Sequence, residues 1–221
     1  MKKFLNLDSP FMIFLSDLTD VVVLNVVFIL CCIPVITIGP AFTAMHYVTL
    51  KMVKDENGAT LKNFFKSFKQ NFKQSVIVWI VFLLITLVFV IDFRLLQNMG
   101  MEKYKIPAAM VGVIYLFSCF TVMYVFPLLS RFENSLRQTV KNAVFMSILH
   151  VLKTVIMAAI YVAPYFLISL HTTMIAVYLL VGISGPAYIN SFIWNSIFKK
   201  YEPEEKNEEI TEDEEFHIAD E

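Results

Sequence analysis

The residues best suited to chemistry in this sequence do not form a recognisable active site. They are His46, His150, His171, His217, Cys31, Cys32 and Cys119. The histidines are far apart and lack metal-ligand spacing, and the cysteines lie in apolar runs where they act as small hydrophobic residues. The sequence also has no GxxxxGK[ST] loop, no HExxH pair and no GxSxG elbow. We therefore predict a protein that is not an enzyme, with no catalytic residue, cofactor or metal ligand.

Two interrupted apolar segments are candidate functional positions. Proline breaks a helix, and backbone groups freed at membrane depth must be covered by protein or water. Both segments contain Gly-Pro-Ala, and paired interrupted helices are typical of transporter binding sites. The positions are Pro34, Thr37, Gly39 and Pro40 in the first segment and Gly185 and Pro186 in the second. Structural kinks and an internal repeat around a transport site both fit this pattern.

The first interruption also predicts a close helix contact. Gly39, Ala41 and Ala44 are small enough to let another helix approach. We expect the partner to be the helix that carries Gly185 and Ala187. A bulky residue at position 39 should then destabilise the fold.

Residues 61–74 predict a basic amphipathic helix. Its apolar residues Leu61, Phe64, Phe65, Phe68 and Phe72 follow helical spacing, and Lys62, Lys66, Lys69 and Lys73 repeat the same offsets on a neighbouring face. The pattern is typical of a helix with phenylalanines in the acyl boundary and lysines at lipid phosphates. A docking surface for a partner protein or for the acidic tail fits it as well.

The composition requires a membrane to position these segments. The chain is 57% hydrophobic and 14% aromatic, with a mean hydropathy of +0.66, which is too apolar for a soluble core. Long uncharged stretches, each near the 20 residues needed to cross a bilayer, predict an all-α polytopic bundle of five spans. The spans are roughly 21–38, 75–92, 107–130, 148–170 and 173–198.

Lysine-rich loops predict the orientation. The loops after the first, third and fifth spans carry most of the basic residues, so these loops and the C-terminus should be cytoplasmic. Five full spans place the N-terminus outside. A re-entrant break near residues 34–40 would place it inside, and the positive-inside rule does not choose between the two.

The charge distribution divides the chain further. Residues 202–221 contain 11 acidic residues and only Lys206, whereas residues 1–201 contain 17 basic and 8 acidic residues. We predict an N-terminal segment at 1–20, a transmembrane domain at 21–200 and an acidic disordered tail at 201–221. A basic bundle should meet a lipid bilayer with anionic headgroups, and we expect no nucleic-acid partner. The oligomeric state stays open.

Three stretches carry a family resemblance. They read IPVITIGPAFTAMHYVTLK, NFFKSFKQNFKQS and FPLLSRFENSLRQTVKNAVFMSI. They resemble the YesL family of bacterial membrane proteins, a domain of unknown function, and the match covers most of residues 10–200. The resemblance implies a Gram-positive plasma-membrane protein whose relatives are encoded beside carbohydrate ABC transporters and their sensor systems. It supplies no known activity and no catalytic residue.

Two functions follow as expectations. The first is a non-enzymatic accessory or regulatory component associated with carbohydrate uptake, with ABC permease or sensor membrane proteins as partners. Its contact surfaces would be the basic segments 61–74 and 131–141. The alternative is a small transporter or channel with its site at the Gly39 and Gly185 breaks.

Overall fold

The computed structural model describes residues 10–54, 58–98, 104–171 and 174–201, and these residues contain helices and no strand. The helices are α1 (Pro10–Cys31), α2 (Ile38–Val53), α3 (Thr60–Gln70), α4 (Phe72–Asn98), α5 (Lys105–Arg131), α6 (Leu136–Leu149), α7 (Val151–Leu170), α8 (Met174–Val181) and α9 (Ser184–Phe198). A single 3₁₀ turn, Val35–Thr37, precedes α2. The predicted all-α fold is confirmed. The predicted acidic tail lies outside the described residues from position 202 onward.

Three to five segments could cross a membrane by length and composition. Phe11–Cys31, Thr60–Asn98 and Lys105–Arg131 qualify alone. Two bent pairs qualify together: Leu136–Leu149 with Val151–Phe166, bent by 97°, and Met174–Val181 with Ser184–Phe198, bent by 51°. The number reaches the five predicted spans only if each bent pair is one span, and the predicted fourth and fifth spans correspond to these pairs. The orientation of the C-terminus stays a prediction.

The first helix begins earlier than predicted. We expected a span from residue 21, because Asp17 and Asp20 interrupt the hydrophobic pattern, but α1 starts at Pro10. Both carboxylates have partners on other helices: the Thr60 hydroxyl donates to Asp20 at 2.8 Å, and the Tyr188 hydroxyl donates to Asp17 at 3.0 Å. Because each acidic side chain is hydrogen-bonded, α1 continues through a region that looked too polar for a helix in the bundle.

The short helix α2 forms the centre of the bundle. It contacts α1, α3, α4, α5 and α9, and most of its residues are buried. Its 16 residues span roughly 24 Å at 1.5 Å each, which is less than the ~30 Å hydrocarbon core. Ala41, Ala44 and Met45 are fully buried in one apolar cluster with Ala187 of α9. The small side chains explain how several helices reach the same central helix.

A second apolar cluster joins α5, α6, α7 and α9. Trp194 packs edge-on against Tyr124 with ring centroids 4.4 Å apart, and both rings are fully buried. Beyond this cluster α4 and α5 form a hairpin whose apolar side chains, including Leu84, Val88 and Ile114, are exposed. Exposed side chains of this kind over a long helical hairpin indicate a surface that faces lipid.

Candidate functional site: a buried polar helix and a polar cleft

Polar residues on α2 connect it to three other helices. Thr43, His46 and Thr49 follow one another at intervals of three, which places them along one side of the helix. Their partners are Ser75 of α4 at 2.8 Å, Tyr161 of α7 at 3.3 Å and Ser191 of α9 at 2.8 Å, respectively. Each pair joins side-chain atoms inside the bundle, so α2 is held by directional bonds as well as by packing.

Among the described residues, two buried polar atoms in or next to this row make no hydrogen bond. The Nδ1 atom of His46 and the Oδ1 atom of Asn190 are buried and have no hydrogen-bond partner among the described residues. The amide nitrogen of Asn190 donates to the carbonyl oxygen of Met157 at 3.2 Å, which links α9 to α7. Asn190 therefore makes the kind of helix-to-helix bond that amides make in membrane bundles. Among the described residues no group of three His, Cys, Asp or Glu side chains lies close enough to hold a metal.

The bond between Thr49 and Ser191 can be tested by a double-mutant cycle. Thr49→Val and Ser191→Ala each remove one partner, and we expect the two losses to be less than additive by about 1 kcal/mol, as for other interhelical pairs. The readout is the free energy of unfolding in mixed detergent micelles. The pair Thr121→Val and Ser196→Ala, on α5 and α9, serves as the control and should be additive, because the Thr121 hydroxyl donates to the Phe117 carbonyl oxygen and the Ser196 hydroxyl accepts from Lys153. Additive losses at Thr49 and Ser191 would contradict the bond.

At the first break, protein covers the backbone. Helix α1 ends at Cys31 and α2 starts at Ile38, so Pro34 and Thr37 lie in the interruption. The Thr37 hydroxyl donates to the carbonyl oxygens of Cys31 and Pro34 at 2.6 Å, and the indole nitrogen of Trp79 donates to the carbonyl oxygen of Val35 at 2.8 Å. Carbonyls that the break frees are thus paired by a side chain within the turn and by another from α4.

Gly39 and Pro40 lie just after this break, inside the first turn of α2. Proline is tolerated there because the first four N–H groups of a helix have no helical acceptor. Gly39 is the point of closest approach to α4: a Cβ atom would lie 2.6 Å from the carbonyl oxygen of Ser75 and 2.7 Å from the Cβ of Trp79. Gly39 itself approaches α4 most closely, while the predicted contact with the helix that carries Gly185 is made by Ala41 and Ala44, which share a buried apolar cluster with Ala187 of α9.

The second break is closed by α1. The chain bends between Val181 and Ser184, and the side chain of Asn25 is fully buried at this bend. Its amide nitrogen donates to the carbonyl oxygen of Leu179 at 2.8 Å, and its oxygen accepts from the backbone nitrogens of Ile183 at 3.1 Å and Ser184 at 2.9 Å. One side chain therefore pairs the end of α8 and the start of α9.

Gly185 and Pro186 occupy the second and third positions of α9, as Gly39 and Pro40 do in α2. The tight position at this bend is Gly182, where a Cβ atom would collide with Tyr178, whereas a Cβ at Gly185 has space. Gly182 was not predicted to be a tight position, because it lies outside the Gly-Pro-Ala repeat.

An apolar cavity of about 410 Å³ adjoins the second break. Its walls come from α7, α8 and α9 and include Pro164, Gly182, Gly185 and Pro186. Gly39 is not part of this wall, because it packs against Ser75 and Trp79. Among the described residues, the two breaks therefore lie against different helices, and the wall of this cavity does not include the first break.

The predicted amphipathic helix corresponds to α3 and the start of α4, with a small interruption at Asn71. Its apolar residues divide into two groups. Phe64 is fully buried in the cluster around α2, and Phe68 packs against the same cluster. Leu61, Phe65 and Phe72 are exposed, as are Lys62, Lys66, Lys69 and Lys73. We expected all the phenylalanines to enter lipid, but one side of the helix packs on protein.

A polar cleft of about 560 Å³ lies beside this helix. It brings together the two basic segments that the sequence marked as contact surfaces. From the first segment come Lys66, Gln70, Asn71 and Gln74, and from the second come residues 131–134, including Arg131 and Glu133. Leu129 and Ser130 of α5 and Tyr47 of α2 complete the wall. The cleft presents amide, phenol and charged groups together, so it can bind polar or charged ligands through several hydrogen bonds at once.

Comparison with known proteins agrees with the predicted resemblance. Residues 21–93 match the family described as "Protein of unknown function, DUF624". The chain is 27% identical over 154 residues to "Uncharacterized protein YesL" of Bacillus subtilis (strain 168), covering 69% of this chain and 72% of that protein. It is 30% identical over 143 residues to "Uncharacterized protein YteU" of the same strain, covering 64% of each. No solved structure matches the chain. The resemblance to the YesL family is confirmed.

Proposed function

Since the chain carries a YesL-like domain of unknown function within a bundle of apolar helices, we propose that it is an accessory or regulatory membrane protein without enzymatic activity. It works in a bacterial plasma membrane beside a carbohydrate uptake system and contacts ABC permease or sensor membrane proteins. The carbohydrate assignment rests on the family resemblance alone. The contact surface rests on the geometry of the polar cleft.

The cleft is the observation that carries the proposal. Lys66 and Arg131 are 65 positions apart in the sequence and yet line one cavity. The two basic segments that meet there also carry the exposed residues Lys69, Arg137 and Lys141. A concave polar surface between two predominantly basic segments, with Glu133 as the carboxylate in its wall, is suited to an acidic, hydrogen-bonding segment of a partner protein.

The transporter alternative receives less support from the geometry. A shared substrate site would need both breaks to face one cavity, but Gly39 packs directly against α4 and Gly185 lines an apolar cavity elsewhere. The backbone groups at the breaks are paired by Trp79 and Asn25, which leaves fewer of them to bind a solute. We therefore favour the accessory role.

Co-isolation tests the proposed role. The full chain, affinity-tagged in its native bacterium, should co-purify with permease or sensor subunits after mild solubilisation. Lys66→Glu combined with Arg137→Glu reverses one exposed charge on each basic segment, and we expect partner recovery to fall about tenfold or more, since like charges that face each other across an interface cost several kcal/mol. Lys105→Glu, at the other end of α5, is the control and should leave recovery unchanged.

Three results would count against parts of the proposal. Equal recovery of partners with the double variant and the control would remove the basic face as the contact surface. Solute flux through liposomes that contain the purified chain alone would support the transporter class instead. Absence of sugar-permease subunits among recovered partners would remove the carbohydrate assignment while leaving the contact surface intact.

A further inference from the structure

A second groove continues from the polar cleft towards the end of the described chain. It measures about 550 Å³ and is lined partly by Gln138, Lys141 and Asn142 of α6. Phe132 and Asn134 line both this groove and the cleft, so the two form one continuous depression. The combined surface runs from Lys141 to Lys66.

The described part of the chain ends inside this groove. Tyr201 contributes to the groove wall, and its hydroxyl lies 3.4 Å from Nε2 of His150. Lys153 and Lys200 both act electrostatically on His150, so positive charge surrounds the point at which the chain leaves the bundle. The exposed residue Lys199 adds to it. Tyr201 therefore lies beside a basic surface.

The segment that follows has the opposite charge. Residues 202–221 carry 11 acidic residues and one lysine, a net charge of −10. At roughly 3.3 Å for each residue, the 20 residues can extend up to about 66 Å, which is ample to follow two adjoining grooves. A tethered segment competes at an effective concentration on the order of mM, well above that of most free partners.

We propose that the acidic segment 202–221 binds in the continuous groove formed by α6, the 132–134 loop and α3, where it pairs with Lys141, Arg131 and Lys66. The occupant is fixed by charge complementarity and by the position at which the chain enters the groove. Bound there, the segment covers the same face that an acidic partner would use, so partner binding requires its displacement. The binding of the segment does not depend on the accessory role.

A peptide-binding experiment on the purified full chain in micelles tests this. The probe is a fluorescent peptide with the sequence of residues 202–221, and its affinity is measured by anisotropy at low salt. One variant neutralises the carboxylates at Glu208, Glu209, Glu212, Asp213, Glu214 and Glu215 as glutamine or asparagine. The tail of this variant keeps five of its eleven carboxylates and competes more weakly, so we expect the variant to bind the probe at least about tenfold more tightly than the unaltered chain.

Groove variants complete the test. Adding Lys141→Glu to the neutralised chain should return the probe affinity to the weak value of the unaltered chain. Adding Lys105→Glu should not, because Lys105 lies roughly 39 Å from Arg131, at the other end of α5. Equal probe affinity for the unaltered and neutralised chains would overturn the proposal. Probe binding that survives Lys141→Glu would also overturn it, as would the absence of probe binding to either chain. The groove would then be left to acidic partners or to anionic headgroups. Purified protein alone is used, so these results are independent of the co-isolation experiment.

Discussion

Replacing Gly39 with leucine is expected to abolish the folded bundle or to destabilise it by more than about 4 kcal/mol, at the upper end of single-residue effects. Even the Cβ atom alone would lie 2.6 Å from the Ser75 carbonyl oxygen and 2.7 Å from the Trp79 Cβ. Neither neighbour can move cheaply, because the first is backbone of α4 and the second is the root of a side chain. Helix α4 must shift, which breaks the Thr43 to Ser75 bond and the Trp79 to Val35 bond.

Gly112 provides a matched control on another helix. It lies within α5, and a Cβ added there meets nothing within 4 Å. Gly112→Ala should stabilise the protein by roughly 0.5–1 kcal/mol through helix propensity, and Gly112→Leu should be tolerated. The measurement is the free energy of unfolding in mixed micelles, with yield of monodisperse protein as a second readout. Tolerance of leucine at both glycines would show that α2 and α4 do not approach as described.

Replacing Asn25 with leucine is expected to destabilise the protein by about 3–5 kcal/mol. The substitution keeps the number and branching of the side-chain heavy atoms and leaves three backbone groups at the second break without this partner, at a cost of about 1–3 kcal/mol for each one that is buried. These groups are the Leu179 carbonyl and the N–H groups of Ile183 and Ser184. The loss should exceed the 0.6 kcal/mol average for interhelical hydrogen bonds in membranes, because one side chain serves both sides of a helix break.

The neighbouring residue Val26 supplies the comparison. It is 44% exposed on the same helix, so Val26→Leu should change the free energy of unfolding by less than about 0.5 kcal/mol. Proton exchange of the amides of residues 183 and 184 should accelerate in Asn25→Leu and stay unchanged in Val26→Leu. Unchanged exchange in both variants would mean that Asn25 does not hold the bend.

Both predictions concern the two helix breaks that the sequence predicts. In the structure, side chains from other helices cover both breaks. A proline next to a glycine in an apolar run requires an interruption whatever surrounds it, since proline lacks the donor that a continuous helix needs. The interruption could have lined a solute pathway or been sealed by neighbouring helices. Here Trp79 and Asn25 seal it, and both come from distant segments. For this reason we treat the breaks as structural elements of the bundle.

The amphipathic helix at 61–74 shows which properties of a helix hydrophobic periodicity predicts and which it does not. Helical spacing predicted its existence and placed its lysines on the outside, as the structure has them. Periodicity does not distinguish lipid from protein as the neighbour of an apolar face, because both are apolar. Phe64 turned out to be buried against α2, and Phe65, one position on, is exposed. The polar row Thr43, His46 and Thr49 on α2 was not predicted for a similar reason. Single threonine and histidine residues in an apolar run do not indicate which residues on other helices they bond.

The sequence by itself determined the helical class, the membrane-spanning lengths, both interruptions and the opposed charges of bundle and tail. These properties depend on local composition, on the 3.6-residue period and on the chemistry of proline, all of which act within one segment. Only the tertiary structure decided that α2 is central, that Gly39 meets α4, and that segments 61–74 and 131–141 share a cleft. Those facts depend on which helices become neighbours. Apolar helix faces resemble one another too closely for the pairing to be inferred from the pattern of a single sequence.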